Sequence, residues 1–255
     1  MTYNHNSVTG MIPPRQMQLG QWLFIGLAYG FAGAVVGLSL VPGLALTSWW
    51  WDSSGSSSWL MRLAGVGLCL GWGYFLFGLS LLGLTVAFCR GARLPVREGD
   101  YPFFSITAAR WVFSYLLTLA VQTLFLPFMR STPLICLWYR GMGATIGPDV
   151  QINTCQLNDA SLLEFGDGVL VGADALIICH ATEGGILILR KTRLSSGSAI
   201  GAGAVLMPGV TVGSDAVVLP GSVVPPNSRI PAGEVWGGVP AQCLKSSEAR
   251  SKVAA

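Results

Sequence analysis

Ionisable side chains are scarce in this sequence. Asp, Glu, Lys and Arg make up 11% of its 255 residues while 52% are hydrophobic, where ordinary soluble domains carry roughly 25% charge. Histidine is rarer still, with only His5 and His180. The shortage excludes a nucleic-acid footprint: net charge is +3, twelve of the fifteen cations are arginine, and they are scattered. The densest basic cluster, "RKTR" at 190–193, reads as a solvated turn. The six cysteines (69, 89, 136, 155, 179 and 243) contain no C-x-x-C pair. That argues against a metal site or a disulfide framework and suits reduced thiols facing a cytoplasm.

Long apolar runs are plentiful. Residues 20–46 carry no charge and residues 58–88 carry only Arg62; about 20 apolar residues cross a bilayer core, so both predict membrane spans. The first is too long and too poorly flanked for a cleaved signal peptide. Glycines at 26, 30, 33, 37, 67, 71 and 78 offer small faces for helix contact, and the three tryptophans at 49–51 read as an interfacial belt. A third run, 111–128, is shorter, interleaved with Ser, Thr and Gln, and interrupted by Pro127. It either spans or re-enters. Arg90, Arg93, Arg97 and Arg110 place the segment between runs two and three in the cytoplasm. A re-entrant third segment keeps the rest of the chain there too. The expected organisation is a membrane α-helical anchor over 1–140, a repeat domain over 141–245 and a polar tail over 246–255.

From Leu194 the sequence moves in steps of six: LSSGSA, IGAGAV, LMPGVT, VGSDAV, VLPGSV, VPPNSR, IPAGEV. Leu194, Ile200, Leu206, Val212, Val218, Val224 and Ile230 lead the steps, and the fifth place is usually small. Ile146, Ile152, Phe165 and Val171 keep the rhythm earlier, with breaks in phase at 157–164 and 179–193. Neither a helix nor an ordinary strand has this period; a short strand plus a tight turn does. Such a unit buries its apolar side only by stacking on the next coil.

The pattern over about 146–244, with its closing "IPAGEVWGGVPAQCL", resembles the hexapeptide-repeat acyltransferases. The resemblance implies an all-β, left-handed parallel β-helix, a homotrimer, and acyl-CoA as co-substrate. More narrowly, "GARLPVREGDYPFFS", "STPLICLWYRGMGATIGPDVQINT" and "GGVPA" resemble a module from the C-terminal region of epsilon-poly-lysine-synthetase-like proteins. The chain has no adenylation or carrier domain, so polymerisation by this chain alone is doubtful.

In that superfamily a histidine near a coil corner acts as general base on an acceptor hydroxyl or amine, a task that suits an imidazole near neutral pH. His180, at the start of the second break, takes that role by position; the competing reading is a structural histidine. Glu183 would orient the imidazole or bind the acceptor, or stand as a solvated loop carboxylate. Asn158 and Asp159, at the first break, would line the acceptor side or simply form a turn. Cys179 would point away from its neighbour, into the core. By family analogy Gly201, Ala202, Ala204, Gly221 and Ser222 would approach the pantetheine arm and Lys245 a phosphate; ordinary coil corners explain the glycines equally well. A zinc-dependent carbonic anhydrase on a similar solenoid needs three histidines and is rejected. The expected function is a membrane-anchored acyltransferase moving a small acyl group to a small or lipid-linked acceptor. The alternative is a non-catalytic trimeric membrane scaffold serving a separate synthetase partner.

Overall fold

The computed structural model describes residues 15–246; His5 and the predicted tail beyond Ser246 lie outside the described residues. Two helices open it, α1 (Arg15–Ser53) and α2 (Trp59–Gly91), both long and apolar enough to cross a membrane. They pack antiparallel. Close approach falls on glycines, though not those at 26, 30, 33, 37, 67 or 71, beside which an added Cβ would meet nothing. A Cβ on Gly43 would stand 2.8 Å from the Gly73 carbonyl oxygen, Gly65 lies against the Trp50 indole, and Gly78 against the Phe125 ring. A glycine matters where a partner occupies the space it leaves, which helical spacing does not reveal. At the hairpin tip the Trp50 indole N–H donates to the Arg62 carbonyl at 3.2 Å, and the Arg62 guanidinium sits 4.1 Å from the Trp51 ring centroid.

The third apolar run forms α3 (Ile106–Leu124), N-capped by the Ser105 hydroxyl, which accepts the Ala108 N–H at 3.1 Å. A 3-10 turn at Leu126–Met129 follows, with Pro127 near its start, where proline's missing N–H costs little. Trp111, Tyr115, Thr118 and Gln122 recur at the spacing of one helix face, and that face turns to the β domain. The Trp111 indole donates to Asp159 Oδ1 at 2.7 Å and Gln122 Nε2 to the Leu157 carbonyl at 3.0 Å. Helix α4 (Pro133–Met142) then leads into the β domain. Arg90, at the end of α2, donates to the carbonyls of Gly141 and Arg140 at 2.8 and 2.9 Å, serving two of the α4 carbonyls that lack helical partners. Arg140 donates in turn to the carbonyls of Ile146 and Gly147, tying helix to first rung.

From Thr145 onward strands of two to four residues stack in three parallel sheets. One joins Thr145–Ile146, Leu163–Phe165, Thr192–Leu194, Thr211–Val212 and Arg229–Ile230. The second joins Gln151–Ile152, Leu170–Val171, Ala199–Ile200, Val217–Val218 and Val235–Gly238. The third joins Leu176–Ile177, Val205–Leu206 and Val223–Val224, with Leu157 bridged to Ile177. The chain visits the three in rotation, so Ile200 pairs with Val171 on one side and Val218 on the other. Every leading aliphatic from Leu194 to Ile230 is at most 2% exposed, and each such side chain contributes about 1.5–3 kcal/mol on burial. The fourth place of the hexad turns the corner: Gly203 has φ +64° and Asp215 φ +56°, the left-handed region that Gly enters freely and Asp at small cost. Gly201, in second place, allows coils to touch, since a Cβ there would lie 2.3 Å from the Pro220 nitrogen.

Within the second break in phase, 179–193, the chain forms a β-hairpin. Strands His180–Glu183 and Ile186–Leu189 pair antiparallel across Gly184 and Gly185, whose φ angles are +56° and +78°, as a two-residue hairpin turn requires. The second strand pairs in turn with Gly99–Pro102, from the segment between α2 and α3. An Arg190–Asp100 ion pair at 2.6 Å and a Phe103 N–H to Gly185 carbonyl bond at 2.9 Å complete the attachment. The arginine's hydrogen bond holds the Asp100 carboxyl below its ordinary range.

Candidate active site

Both breaks in the six-residue phase fall at the same corner, between the third sheet and the first. What interrupts one coil therefore stacks beside what interrupts the next. At the earlier break Asp159 adopts φ +62° and ψ +56° ahead of a short 3-10 turn, Ala160–Leu162; Asp tolerates this conformation better than most residues. The turn delivers its carboxylate beneath the hairpin. Asp159 Oδ2 lies 2.6 Å from His180 Nδ1 and accepts the Cys179 N–H at 3.2 Å, while Oδ1 accepts the Trp111 indole.

The Asp159 side chain is 1% exposed and that of His180 22%. Trp111 meets the imidazole edge-on at 4.9 Å between centroids and Tyr115 at 5.8 Å. The indole and the backbone amide donate only, so the carboxylate acts as acceptor to all three partners and Nδ1 is assigned the proton. Nε2 then carries the lone pair, and it has no hydrogen-bond partner among the described residues. An imidazole fixed in one tautomer by a buried carboxylate, with its other nitrogen open, is equipped to take a proton from a bound hydroxyl or amine.

The remaining sequence candidates lie apart from this dyad. Glu183 is exposed at the far end of the hairpin strand that begins with His180. Asn158 adjoins Asp159 and is anchored through its own N–H to the Ile177 carbonyl at 3.0 Å. Gly201, Ala202 and Ala204 form the corner between the second and third sheets, and Gly221 and Ser222 the same corner one coil on, with Gly221 N–H donating to the Ala202 carbonyl at 2.9 Å. Ala204 and Ser222 are at most 1% exposed and face the interior. Lys245 is exposed at the end of the closing strand, Ala241–Lys245. Cys179 is fully buried, its Sγ directed to Thr192 Oγ1 and the Leu162 carbonyl, and burial pushes its thiol well up. Glu164 accepts from Lys191 and Arg193, and the Lys191 hydrogen bond, ahead of the arginine's charge, holds its carboxyl below the usual range; "RKTR" is thus largely engaged.

Trp111 and Tyr115 were not among the residues singled out by sequence. Their signal was the stripe at 111, 115, 118 and 122 within a segment otherwise suited to lipid. Among the described residues no group of three His, Cys, Asp or Glu side chains could hold a metal.

No family model matches the chain. Among curated proteins it is 27% identical over 175 residues to delta-poly-L-ornithine synthetase of Acinetobacter baumannii, covering 69% of this chain and 13% of that protein. It is 33% identical over 115 residues to gamma carbonic anhydrase 1, mitochondrial, of Arabidopsis thaliana, covering 43% of this chain and 41% of that one. The chain therefore spans only a minor part of either relative. Among solved structures it is similar to a hexapeptide-repeat-containing acetyltransferase of Vibrio cholerae. One structure of that enzyme gives a TM-score of 0.38 at 26% identity over 42% of this chain and 64% of that chain. Its complex with acetyl coenzyme A gives 0.41 at 15% over 61% and 97%. Both of these structures are of a hexapeptide-repeat-containing acetyltransferase.

Proposed function

We propose that the chain is a membrane-anchored acyltransferase. It moves a small acyl group from acyl-CoA to a hydroxyl or amine of a membrane-associated acceptor, with His180 as general base. The observation that carries this reading is the Asp159–His180 pair at the coil corner, with Nε2 open. Nε2 takes the acceptor's proton as its oxygen or nitrogen attacks the thioester carbonyl. The tetrahedral intermediate collapses by breaking the C–S bond, and the departing CoA thiolate recovers the proton from the imidazolium. Asp159 stabilises the transient positive ring. CoA is a co-substrate that binds and leaves.

In this reading the three-sheet stack is a left-handed β-helix that assembles as a homotrimer. Its outward positions support assembly. The first sheet presents Thr145, Glu164, Arg193, Thr211 and Arg229, whereas the third presents Leu176, Val205 and Val223 and the second, after Gln151 at its edge, Leu170, Ala199, Val217 and Val235. Apolar outward rows suit burial against another copy.

Residues 1–140 serve as anchor and 141–245 as the repeat domain, the division falling in the last turn of α4. Helices α1 and α2 cross the membrane as a hairpin, and α3 does not. Trp111 and Gln122, roughly 16 Å apart along the helix, both bond to the β domain, which supports an α3 laid along that domain. Both ends of the hairpin and the His180 site then share one side, and the arginines near the end of α2 make that side cytoplasmic, where CoA is found.

A second reading, a non-catalytic scaffold or accessory subunit for a separate synthetase, is favoured by the match to a short stretch of a poly-ornithine synthetase. Incubation of the purified protein with radiolabelled acetyl-CoA and native membrane extract separates the two. A labelled membrane component supports the transferase; neither CoA binding nor a labelled product supports the scaffold.

A further inference from the structure

We infer that the apolar cavity between α1, the turn before α3 and α3 itself holds the hydrocarbon chain of the acceptor, a lipid whose polar head reaches His180. This deepens the acyltransferase reading and rests on it. The cavity measures about 570 Å³; Phe24 and Ile25 of α1, Phe103, Phe104 and Val112 supply most of its wall, and Ser105, whose hydroxyl accepts the Ala108 N–H, is its polar side chain. The volume lies in the 300–1,000 Å³ range of small-molecule sites.

Position selects the occupant. Phe24 and Ile25 belong to the first turns of the membrane stretch that begins at Trp22, so the cavity sits where bilayer gives way to the β domain. Phe104 and Ile106, 62% and 78% exposed, form an apolar lip beside it. Through α3 the cavity adjoins the site: Ala108 and Trp111 are neighbours three residues apart, their Cβ atoms about 5–6 Å from one another, and the Trp111 ring centroid is 4.9 Å from that of His180. Cavity wall and imidazole thus occupy adjoining faces of the same helical turns. The Phe103 N–H bond to the Gly185 carbonyl ties the turn to the hairpin that carries His180. A soluble acyl-CoA would find a single side-chain hydroxyl there, that of Ser105, already engaged in capping α3. A single-chain amphiphile entering from the bilayer would lay its tail along this apolar wall and carry its head toward the helix turn that packs on His180.

The test uses the full-length protein in phospholipid nanodiscs with a diazirine-bearing hexadecanol as photoprobe. Labelling should concentrate on the peptide spanning 103–112 and fall at least ten-fold with excess unlabelled hexadecanol. A109W, which fills the cavity, should lower it to a similar extent. If A109W does not fold, F104E, at an exposed position, should lower it several-fold by placing a charge at the mouth. Label spread evenly over the lipid-facing sides of α1 and α2, or displaced by palmitoyl-CoA but not by hexadecanol, would overturn the inference in favour of bulk lipid or the donor's chain. H180A, which should lose transfer, should keep the label; labelling of a wild-type protein that itself transfers no acyl group would uphold the pocket and remove the enzyme reading. Loss of labelling with transfer intact does the reverse.

Discussion

Asp159 Oδ2 and His180 Nδ1 lie 2.6 Å apart, joined across one coil of the β domain although 21 residues separate them in sequence. The carboxylate also holds the Trp111 indole and the Cys179 amide, so three elements converge on the group that fixes the imidazole.

Replacing Asp159 by Asn should leave the backbone intact, because Asn accepts the same left-handed conformation, while removing control of the tautomer. Turnover should fall by about 10²–10⁴-fold with CoA affinity unchanged. Nitrogen-15 NMR of the imidazole should show protonation shifting from Nδ1 toward Nε2; an unaltered tautomer with normal turnover would remove Asp159 from the mechanism.

Trp111→Phe keeps a ring against the imidazole and deletes the N–H. A hydrogen bond to a charged group contributes about 1.5–3 kcal/mol, so kcat should drop roughly ten-fold or more while KM for acyl-CoA holds. A rise in KM alone would make Trp111 a binding residue instead of a positioning one.

Much of this arrangement was legible in the sequence and some was not. The rungs from Leu194 to Ile230 were, because each hexad repeats one packing problem and solves it with the same residue types. His180 stood out through its placement at a phase break. Asp159 was legible as a turn residue but not as the partner of His180, since stacking register depends on how many residues each break inserts. The hairpin and its pairing with Gly99–Pro102 are non-local contacts between short segments, and neither "GDYP" nor "ILIL" names its partner. The face of α3 that meets the solenoid was written as an aromatic and polar stripe inside an apolar run, and the run's hydrophobicity masked it.

Gly201 distinguishes packing from ligand binding. Its Cβ would meet the Pro220 nitrogen at 2.3 Å, and backbone does not yield cheaply, so Gly201→Ala should destabilise the fold by about 1–3 kcal/mol, read as a shift in the denaturant midpoint. An unshifted midpoint with weakened CoA binding would make the position a ligand contact.

Cys179, buried and with its thiol pushed up by burial, should resist alkylation at pH 8 in the native protein, while exposed Cys243 is the accessible thiol of the β domain. Cys179→Ala should retain turnover within a few-fold, and its complete loss in a folded variant would mark a thiol nucleophile.

Glu164 tests the electrostatics away from the site. Its carboxyl is held low in the fold by Lys191 and then Arg193, so its contribution is present above the ordinary carboxylate range near 4.3 and is lost as pH falls through the depressed folded value. Glu164→Gln should lower Tm slightly at pH 7, as expected of a partly exposed ion pair, and the difference from wild type should vanish in acid. A difference that persists at low pH would assign the effect to packing.

The most direct measurement compares wild-type protein with His180→Ala for acyl transfer from labelled acetyl-CoA into membrane extract and, in parallel, for CoA affinity by calorimetry. Transfer should fall about 10²–10⁴-fold with the affinity within a few-fold of wild type. Undiminished transfer in the variant, or a wild-type protein that binds no CoA, would contradict the account.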